Sequence, residues 1–257
     1  MKLYDYIIIG SGASGLMMAY RMSKDAFFDD KAILLIDKEK KTKNDRTWCF
    51  WETTDGEWND ILTTSWQKIA FKSDIYSTVE TITPYQYKMI KSKDYYDKIW
   101  NQIEATQNIT FVKEEITGIH QNKTTATATT VINTYSSKFI LNSVLFTNHY
   151  QEQRKYPVLQ QHFVGFFIKT KTAIFNDKVA TFMDFTIPQK ENTRFMYILP
   201  YSKNEALFEY TLFSENLLPY NEYKTAIKEY LQEKGIEDYE IIEKEQGSIP
   251  MTAYEFW

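Results

Sequence analysis

The clearest opportunity for chemistry in this sequence is Glu209, in the middle of ALFEYTLF at residues 206–213. A strand alternates its side chains between two faces. Leu207, Glu209, Thr211 and Phe213 therefore share one side, and Ala206, Phe208, Tyr210 and Leu212 share the other. Neither side reads as a wet face, so the carboxyl is expected among apolar neighbours. Raising a Glu from its reference pKa near 4.3 to about 7 takes roughly 4 kcal/mol of differential desolvation, which an apolar setting can supply. Such a group can deliver a proton near neutral pH or, if ionised, stabilise a developing cation. A Glu that is only hydrogen-bonded or ion-paired on a sheet is the competing reading.

A second constellation stands near the N-terminus, in YDYIIIGSGASGLMMAYRMSK. Residues 4–9 form an apolar, β-branched run of the kind found in buried parallel strands. Gly10, Gly12 and Gly15 follow as G-x-G-x-x-G, and then Leu16, Ala19, Tyr20 and Met22 fall at helical spacing. Strand, glycine turn and helix in this order make a dinucleotide site. Gly10 serves the tight turn, Gly12 the close approach of a pyrophosphate, and Gly15 the packing of helix on strand. Ala13 opens the helix, whose N-terminus favours negative charge. The next strand, in KAILLIDKE, ends at Asp37, about twenty residues on, where an acidic side chain takes a ribose hydroxyl. The candidate cofactor-binding residues here are Gly10, Gly12, Ala13, Gly15 and Asp37. The motif does not choose between FAD and NAD; its place at the extreme N-terminus favours FAD by analogy with other flavoproteins.

The bulk numbers narrow the field. At 257 residues the chain can form one large domain or two interleaved smaller ones. Lys and Arg number 30 against 34 Asp and Glu, well mixed, so no basic face for nucleic acid is evident. The single Cys49 excludes an intramolecular disulfide and a Cys-based metal site. His120, His149 and His162 are scattered without metal-ligand spacing, so no metal is expected. No apolar run approaches the roughly 18 residues that span a bilayer. The N-terminal apolar run enters a glycine loop, not a cleavage site, and a reducing, cytoplasmic compartment fits. Aromatic residues make up 16% of the chain, enough to line a pocket for an extended apolar ligand, although an AT-biased genome would also enrich Tyr and Phe.

The elements that must position these residues follow from pattern. Short β-rich segments occupy much of residues 65–148, interrupted by one helix in SKDYYDKIWNQIEA with Tyr95, Tyr96, Ile99, Trp100 and Ile103 at helical spacing. Longer strands follow in QQHFVGFFIKT, VATFMDF, TRFMYILP and EALFEYTLF, the last two joined as a hairpin by the polar turn YSKN. YNEYKTAIKEYLQEKG reads as an amphipathic helix closed by Gly235. The fold class expected is α/β: a Rossmann-type dinucleotide-binding βαβ unit interleaved with a mostly antiparallel substrate sheet, as in glutathione-reductase-like flavoproteins. The expected division assigns residues 1–72 and 104–150 to the FAD domain and 73–103 and 151–247 to the substrate domain. Residues 248–257 are expected to begin a return to the FAD domain.

Six separated motifs together resemble the lycopene cyclases of carotenoid synthesis, the bacterial β-cyclases in particular. They are DYIIIGSGASGL, NDRTWCFWE, LQQHFVGFFI, ATFMDF, FMYILPYSKNEALFEYTLFS and EQGSIPMT, in order over nearly the whole chain. The glycine loop is common to many flavoproteins; the D-R-T-W segment, the F-x-Y-x-L-P hairpin with L-x-E-x-T and the I-P-M-T turn are far more specific. The resemblance implies a redox-neutral closure of the linear ends of lycopene to β-ionone rings, through γ-carotene to β-carotene. It implies reduced FAD with no net electron transfer, with NAD(P)H as a candidate reductant of the flavin. It puts Glu209 on the family's catalytic Glu, while Tyr210 replaces the second Glu of that segment. It also implies Arg46, Pro250 and Met251 near the flavin, and Trp48, Phe50 and Trp51 along the polyene path, where plain core packing is the alternative for each aromatic. Cys49 reads as a small buried hydrophobe.

The implied substrate is a membrane-confined polyene, so the protein is expected at the inner face of the membrane as a peripheral, cytoplasmic enzyme. Family members continue past the I-P-M-T turn to a second glycine-rich segment, and this chain is expected to be a C-terminally truncated member. Two other readings stay open at this point. One is a redox FAD enzyme, a reductase or hydroxylase, acting on an isoprenoid. The other is an inactive remnant that binds flavin or carotenoid.

Overall fold

The computed structural model describes residues 3–256. Along the chain run β1 (Leu3–Ile9), α1 (Ala13–Met22), β2 (Ile33–Asp37), β3 (Thr47–Glu52), β4 (Thr64–Trp66), β5 (Lys68–Lys72), β6 (Ser77–Thr81) and β7 (Gln86–Lys91). Then come α2 (Ser92–Glu104), β8 (Ile109–Lys113), β9 (Ile116–Gln121), β10 (Ala126–Thr130), β11 (Thr134–Asn142) and α3 (His149–Glu152). The last are β12 (Val158–Thr170), β13 (Val179–Asp184), β14 (Thr193–Pro200), β15 (Glu205–Ser214), α4 (Tyr220–Glu233) and β16 (Tyr239–Thr252). Two compact units result: the chain up to Asp45 with Lys91–Asn148, and Arg46–Ile90 with the residues from His149 onward.

The first unit carries a six-stranded sheet in the order β8-β2-β1-β11-β10-β9. β8, β2, β1 and β11 are parallel, and β10 and β9 extend the sheet as an antiparallel meander. Ile7, Ile8, Ile9 and Ile33, Leu34, Leu35, Ile36 are buried without alternation, because strands of a parallel sheet are covered on both faces. α1 buries Leu16, Ala19 and Tyr20, and α2 buries Tyr95, Tyr96, Ile99, Trp100 and Ile103 along one stripe.

The second unit carries a seven-stranded sheet in the order β16-β12-β15-β14-β13-β5-β6, and a small sheet β3-β7-β4. All its neighbours in the large sheet are antiparallel except β13 with β5. The period-2 alternation of β15 is realised as expected. Ala206, Phe208, Tyr210 and Leu212 face a core completed by Tyr223, Ile227, Tyr230 and Leu231 of α4. Leu207 faces the other way, into a cluster with Trp66, Met89, Phe167 and Leu199. Full burial of an aliphatic such as Ile227 or Leu231 is worth about 1.5–3 kcal/mol, which holds α4 to the sheet. Gly235, at φ +70°, ends α4 in the left-handed conformation that a Gly adopts most readily.

The domain boundaries differ from those expected. Residues 46–72 leave the first unit, since β5 joins the large sheet beside β13 and β3 and β4 form the small sheet with β7. Residues 91–103 enter it, because α2 is tied there by its own side chains. The Tyr95 hydroxyl donates to the Ala13 carbonyl at 2.8 Å, Tyr96 to Asp45 Oδ1 at 2.9 Å, and Trp100 Nε1 to the Lys41 carbonyl at 2.8 Å. Residues 248–252 do not turn back: β16 stays paired with β12 through Thr252 opposite Val158. The expected I-P-M-T turn is therefore a strand, with Pro250 opposite Gln160 and Met251 opposite Leu159. β16 is an edge strand, where a Pro does not remove a ladder bond to a second neighbour.

Candidate functional site

Glu209 projects into a cavity of about 340 Å³ within the second unit. Cys49 of β3, Tyr87 of β7, Phe182 of β13, Tyr197 and Leu199 of β14, Leu207 of β15 and Phe163 of β12 give it an aromatic and aliphatic wall. The cavity side of β15 is the face predicted to carry Leu207, Glu209 and Thr211, and all three line it. The Tyr87 and Tyr197 hydroxyls are hydrogen-bonded to each other across the cavity's edge. Burial pushes both phenols well above the usual tyrosine range, and the Cys49 thiol up to about 12, so all three stay neutral.

The carboxyl of Glu209 has two partners. Thr211 Oγ1 donates to its Oε1 at 2.6 Å. The other is Glu245 of β16, whose side chain also lines the cavity and whose carboxyl interacts electrostatically with that of Glu209. The two strands are not neighbours; β12 runs between them, and Gly165 of β12 is in register with Glu209 on one side and Glu245 on the other. A Cβ on Gly165 would lie 2.8 Å from Leu207 Cδ1 and 3.1 Å from Glu245 Cγ. The missing side chain therefore leaves the gap through which the carboxyls meet. Thr47 Oγ1 donates to Glu245 Oε2 at 2.7 Å, and the positive charge of Arg46 favours the ionised form of Glu245. Burial, and then the neighbouring carboxyl, push the pKa of Glu209 up to about 8; burial also raises Glu245.

In the first unit, the glycine loop lines a separate cavity of about 320 Å³ together with Ser14, Asp37 and Lys41. Each glycine has its own reason. Gly10 sits at φ +95°, and a Cβ there would be 2.4 Å from Ser143 Oγ. A Cβ on Gly15 would be 1.8 Å from the Gly10 carbonyl oxygen, so only Gly lets α1 pack this close to the loop. A Cβ on Gly12 would meet nothing within 4 Å: the space beside it is open. Gly12 is also the N-cap of α1, and no side chain caps that helix. Open space, a Gly backbone and an uncapped helix N-terminus are what a diphosphate requires. Asp37 accepts from Ser11 N at 2.5 Å and from Glu39 N at 2.9 Å. A carboxylate offers about four lone-pair sites, so it can still receive ribose hydroxyls. The loop fits the pyrophosphate of a dinucleotide.

The remaining candidates divide. Trp48 lines the Glu209 cavity; Phe50 is half-buried and does not line it. Trp51 is 43% exposed, with its ring 4.9 Å from that of Tyr87. Pro250 and Met251 continue β16 beyond the cavity, where Ile249 is the last lining residue of that strand. Among the described residues no cluster of His, Cys, Asp or Glu could hold a metal. Sequence reasoning did not single out Glu245, Gly165, Thr47 or Tyr197. Glu245 opens a motif that it did use, EQGSIPMT, but its flanks Lys244 and Gln246 and the nearby Glu243 read as a polar strand and gave no local sign of burial.

This combination, a nucleotide-binding βαβ unit and a second unit with a large antiparallel sheet and its own apolar cavity, is the Rossmann-type flavoprotein fold. It matches a flavin-dependent brominase with a TM-score of 0.65 at 13% identity, over 98% of this chain and 68% of that one. It matches a geranylgeranyl bacteriochlorophyll reductase-like protein from Thermoplasma acidophilum with a TM-score of 0.66 at 10% identity, over 97% of this chain and 66% of that one. It matches the p-nitrophenol 4-monooxygenase of Pseudomonas putida with a TM-score of 0.67 at 10% identity, over 98% of this chain and 70% of that one. These likenesses define the fold; the chain spans about two thirds of each of those proteins. No curated protein sequence matches the chain significantly. The family profile described as lycopene cyclase protein matches residues 5–256, and the chain belongs to that family.

Proposed function

We infer that this protein is a flavin-dependent lycopene cyclase that closes the linear ends of lycopene to β-ionone rings, through γ-carotene, without net oxidation or reduction. The observation that carries the reading is Glu209. It is a buried carboxyl in an aromatic cavity, with a hydroxyl and a second carboxyl as its partners and, among the described residues, no cation paired with it. Family membership supplies the substrate class.

Ring closure of a trisubstituted alkene begins with a proton added to carbon. Glu209, held protonated by its surroundings, gives that proton to the terminal double bond. The tertiary cation that forms is attacked by the neighbouring double bond, which makes the new carbon–carbon bond. Loss of a proton from the ring restores neutrality, so one proton enters and one leaves. The apolar wall excludes water that would otherwise trap the cation as an alcohol. The rings of Trp48, Tyr87, Phe182 and Tyr197 line the path, and their faces attract positive charge. Gly10, Gly12, Ala13, Gly15 and Asp37 would hold the adenosine diphosphate part of FAD, and Arg46 is proposed to favour its anionic form. Reduced flavin, when bound, supplies negative charge that steadies a cation. Among the described residues no helix is long and apolar enough to cross a membrane, and the lipid-soluble substrate leads us to propose peripheral association.

The test is anaerobic incubation of the reduced, flavin-loaded protein with lycopene. Monocyclic and bicyclic carotenes with no flavin oxidation are expected. A hydroxylated or saturated product, or a requirement for oxygen, would assign the protein to redox chemistry.

A further inference from the structure

We propose that Glu209 and Glu245 form one proton-sharing pair, in which ionised Glu245 is a positioning residue that keeps the transferable proton on Glu209. This deepens the cyclase reading and rests on it for its turnover measurement only.

The geometry carries the argument. Both residues are in register with Gly165 and line one cavity, and their carboxyls interact over the gap that Gly165 leaves. Two such carboxyls can bond to each other only when at least one is protonated, since two adjacent carboxylates offer only acceptors. Two carboxylates in contact in an apolar setting cannot both be ionised, so one proton is retained far above the usual carboxylate range. The surroundings decide where the proton and the charge reside. On the Glu245 side stand the Thr47 hydroxyl at 2.7 Å and the Arg46 charge, both favouring an anion, with the Glu243 charge opposing them. On the Glu209 side stand Thr211, the Cys49 thiol and the hydrogen-bonded phenols of Tyr87 and Tyr197. Apart from Glu245, those groups are uncharged across the working pH range. Charge therefore sits on Glu245 and the proton on Glu209, on the apolar side where an alkene would lie. Once Glu209 has given up its proton, two anions are in contact with no hydrogen bond between them, so the proton that the ring releases returns to Glu209 and restores the pair.

Infrared spectroscopy of the protein at a series of pH values reads this directly. The wild type should show one protonated carboxyl persisting through neutral pH. Asp184, the other buried carboxyl among the described residues, is raised by burial, but its hydrogen bonds to Thr186 and Tyr230 outweigh that and hold it below the usual range, so it is ionised there. Glu209→Gln should move that band to lower pH, because the remaining carboxyl, Glu245, is still raised by burial but no longer faces a second carboxylate, and Thr47 and Arg46 favour its anion. Glu245→Gln should leave a protonated carboxyl that titrates at least one pH unit lower than in the wild type. The alkaline limb of cyclisation should move down with it, so that turnover falls at least about fivefold at pH 8 and little at pH 6. A loss of equal size at all pH values, or an unmoved band, would overturn the proposal. If Glu245→Gln does not fold, the wild-type spectrum still decides, since absence of a protonated carboxyl at neutral pH refutes a shared proton. The infrared result stands whether or not lycopene proves to be the substrate.

Discussion

Glu209 and Glu245 lie on strands that never pair with each other, and their carboxyls meet because Gly165 of the strand between them has no side chain. That relationship turns an acid on a sheet into a proton donor. A single buried carboxyl would be raised by desolvation alone; the charge of a second carboxyl raises it further.

Gly165→Ala should therefore act on chemistry as well as packing. Its methyl would press on Leu207 Cδ1 and Glu245 Cγ, at 2.8 and 3.1 Å, and force Glu245 aside. Overpacking of this kind costs about 1–3 kcal/mol, visible as a lower urea midpoint. The surviving folded protein should also cyclise with a pH profile shifted to lower pH. A stability loss with an unshifted profile would show that Gly165 serves packing only.

The loop glycines give a paired prediction. Gly15→Ala places a methyl 1.8 Å from the Gly10 carbonyl oxygen and should sharply lower the melting temperature. Gly12→Val enters open space and should leave the melting temperature of the flavin-free protein almost unchanged, while abolishing flavin binding measured by absorbance after gel filtration. Retained flavin in Gly12→Val would mean that the loop is a structural turn only.

Arg46 is exposed, so Arg46→Ala should change stability by less than about 1 kcal/mol. Flavin affinity should weaken, measured by fluorescence titration. A protein that instead unfolds, with normal affinity in the folded remainder, would make Arg46 a structural cation.

Stability should depend on pH through the carboxyl pair. Glu209 has a folded-state pKa raised from 4.5 to about 8, so the folded protein binds more protons than the unfolded chain between those values. By linkage its contribution is fully present below about pH 4.5 and is lost as pH rises toward 8, at about 1.4 kcal/mol per unit. Glu209→Gln removes that dependence. The difference in denaturation free energy should favour the variant increasingly from pH 5 to pH 8, by a few kcal/mol. A constant difference would place the Glu209 pKa in the ordinary range.

Much of this was legible in the sequence because it is local. The βαβ unit is one continuous stretch, with strand, glycines, helix and acid at fixed spacing, and the structure repeats it in that order. The two faces of β15 follow from period 2, and Glu209 falls on the cavity face as its neighbours implied. The partner of Glu209 was not legible, because contact with Glu245 depends on the register of two different strands against Gly165, separated by 44 and 80 residues from it. The boundary near residue 45 was missed for the same reason: β5 finds β13 more than 100 residues later, which no local pattern announces. The I-P-M-T segment, expected as a turn, is instead the end of an edge strand, which tolerates its Pro.

The central claim is that Glu209 delivers the proton, and its most direct measurement is β-carotene formed from lycopene per folded, flavin-loaded protein in the wild type and Glu209→Gln. The amide keeps the size of the side chain but has neither the transferable proton nor the charge. A positioned acid contributes about 10²–10⁴-fold, so product formation should fall by at least two orders of magnitude at every pH while flavin content and folding stay intact. Near-normal β-carotene from folded Glu209→Gln would contradict the account.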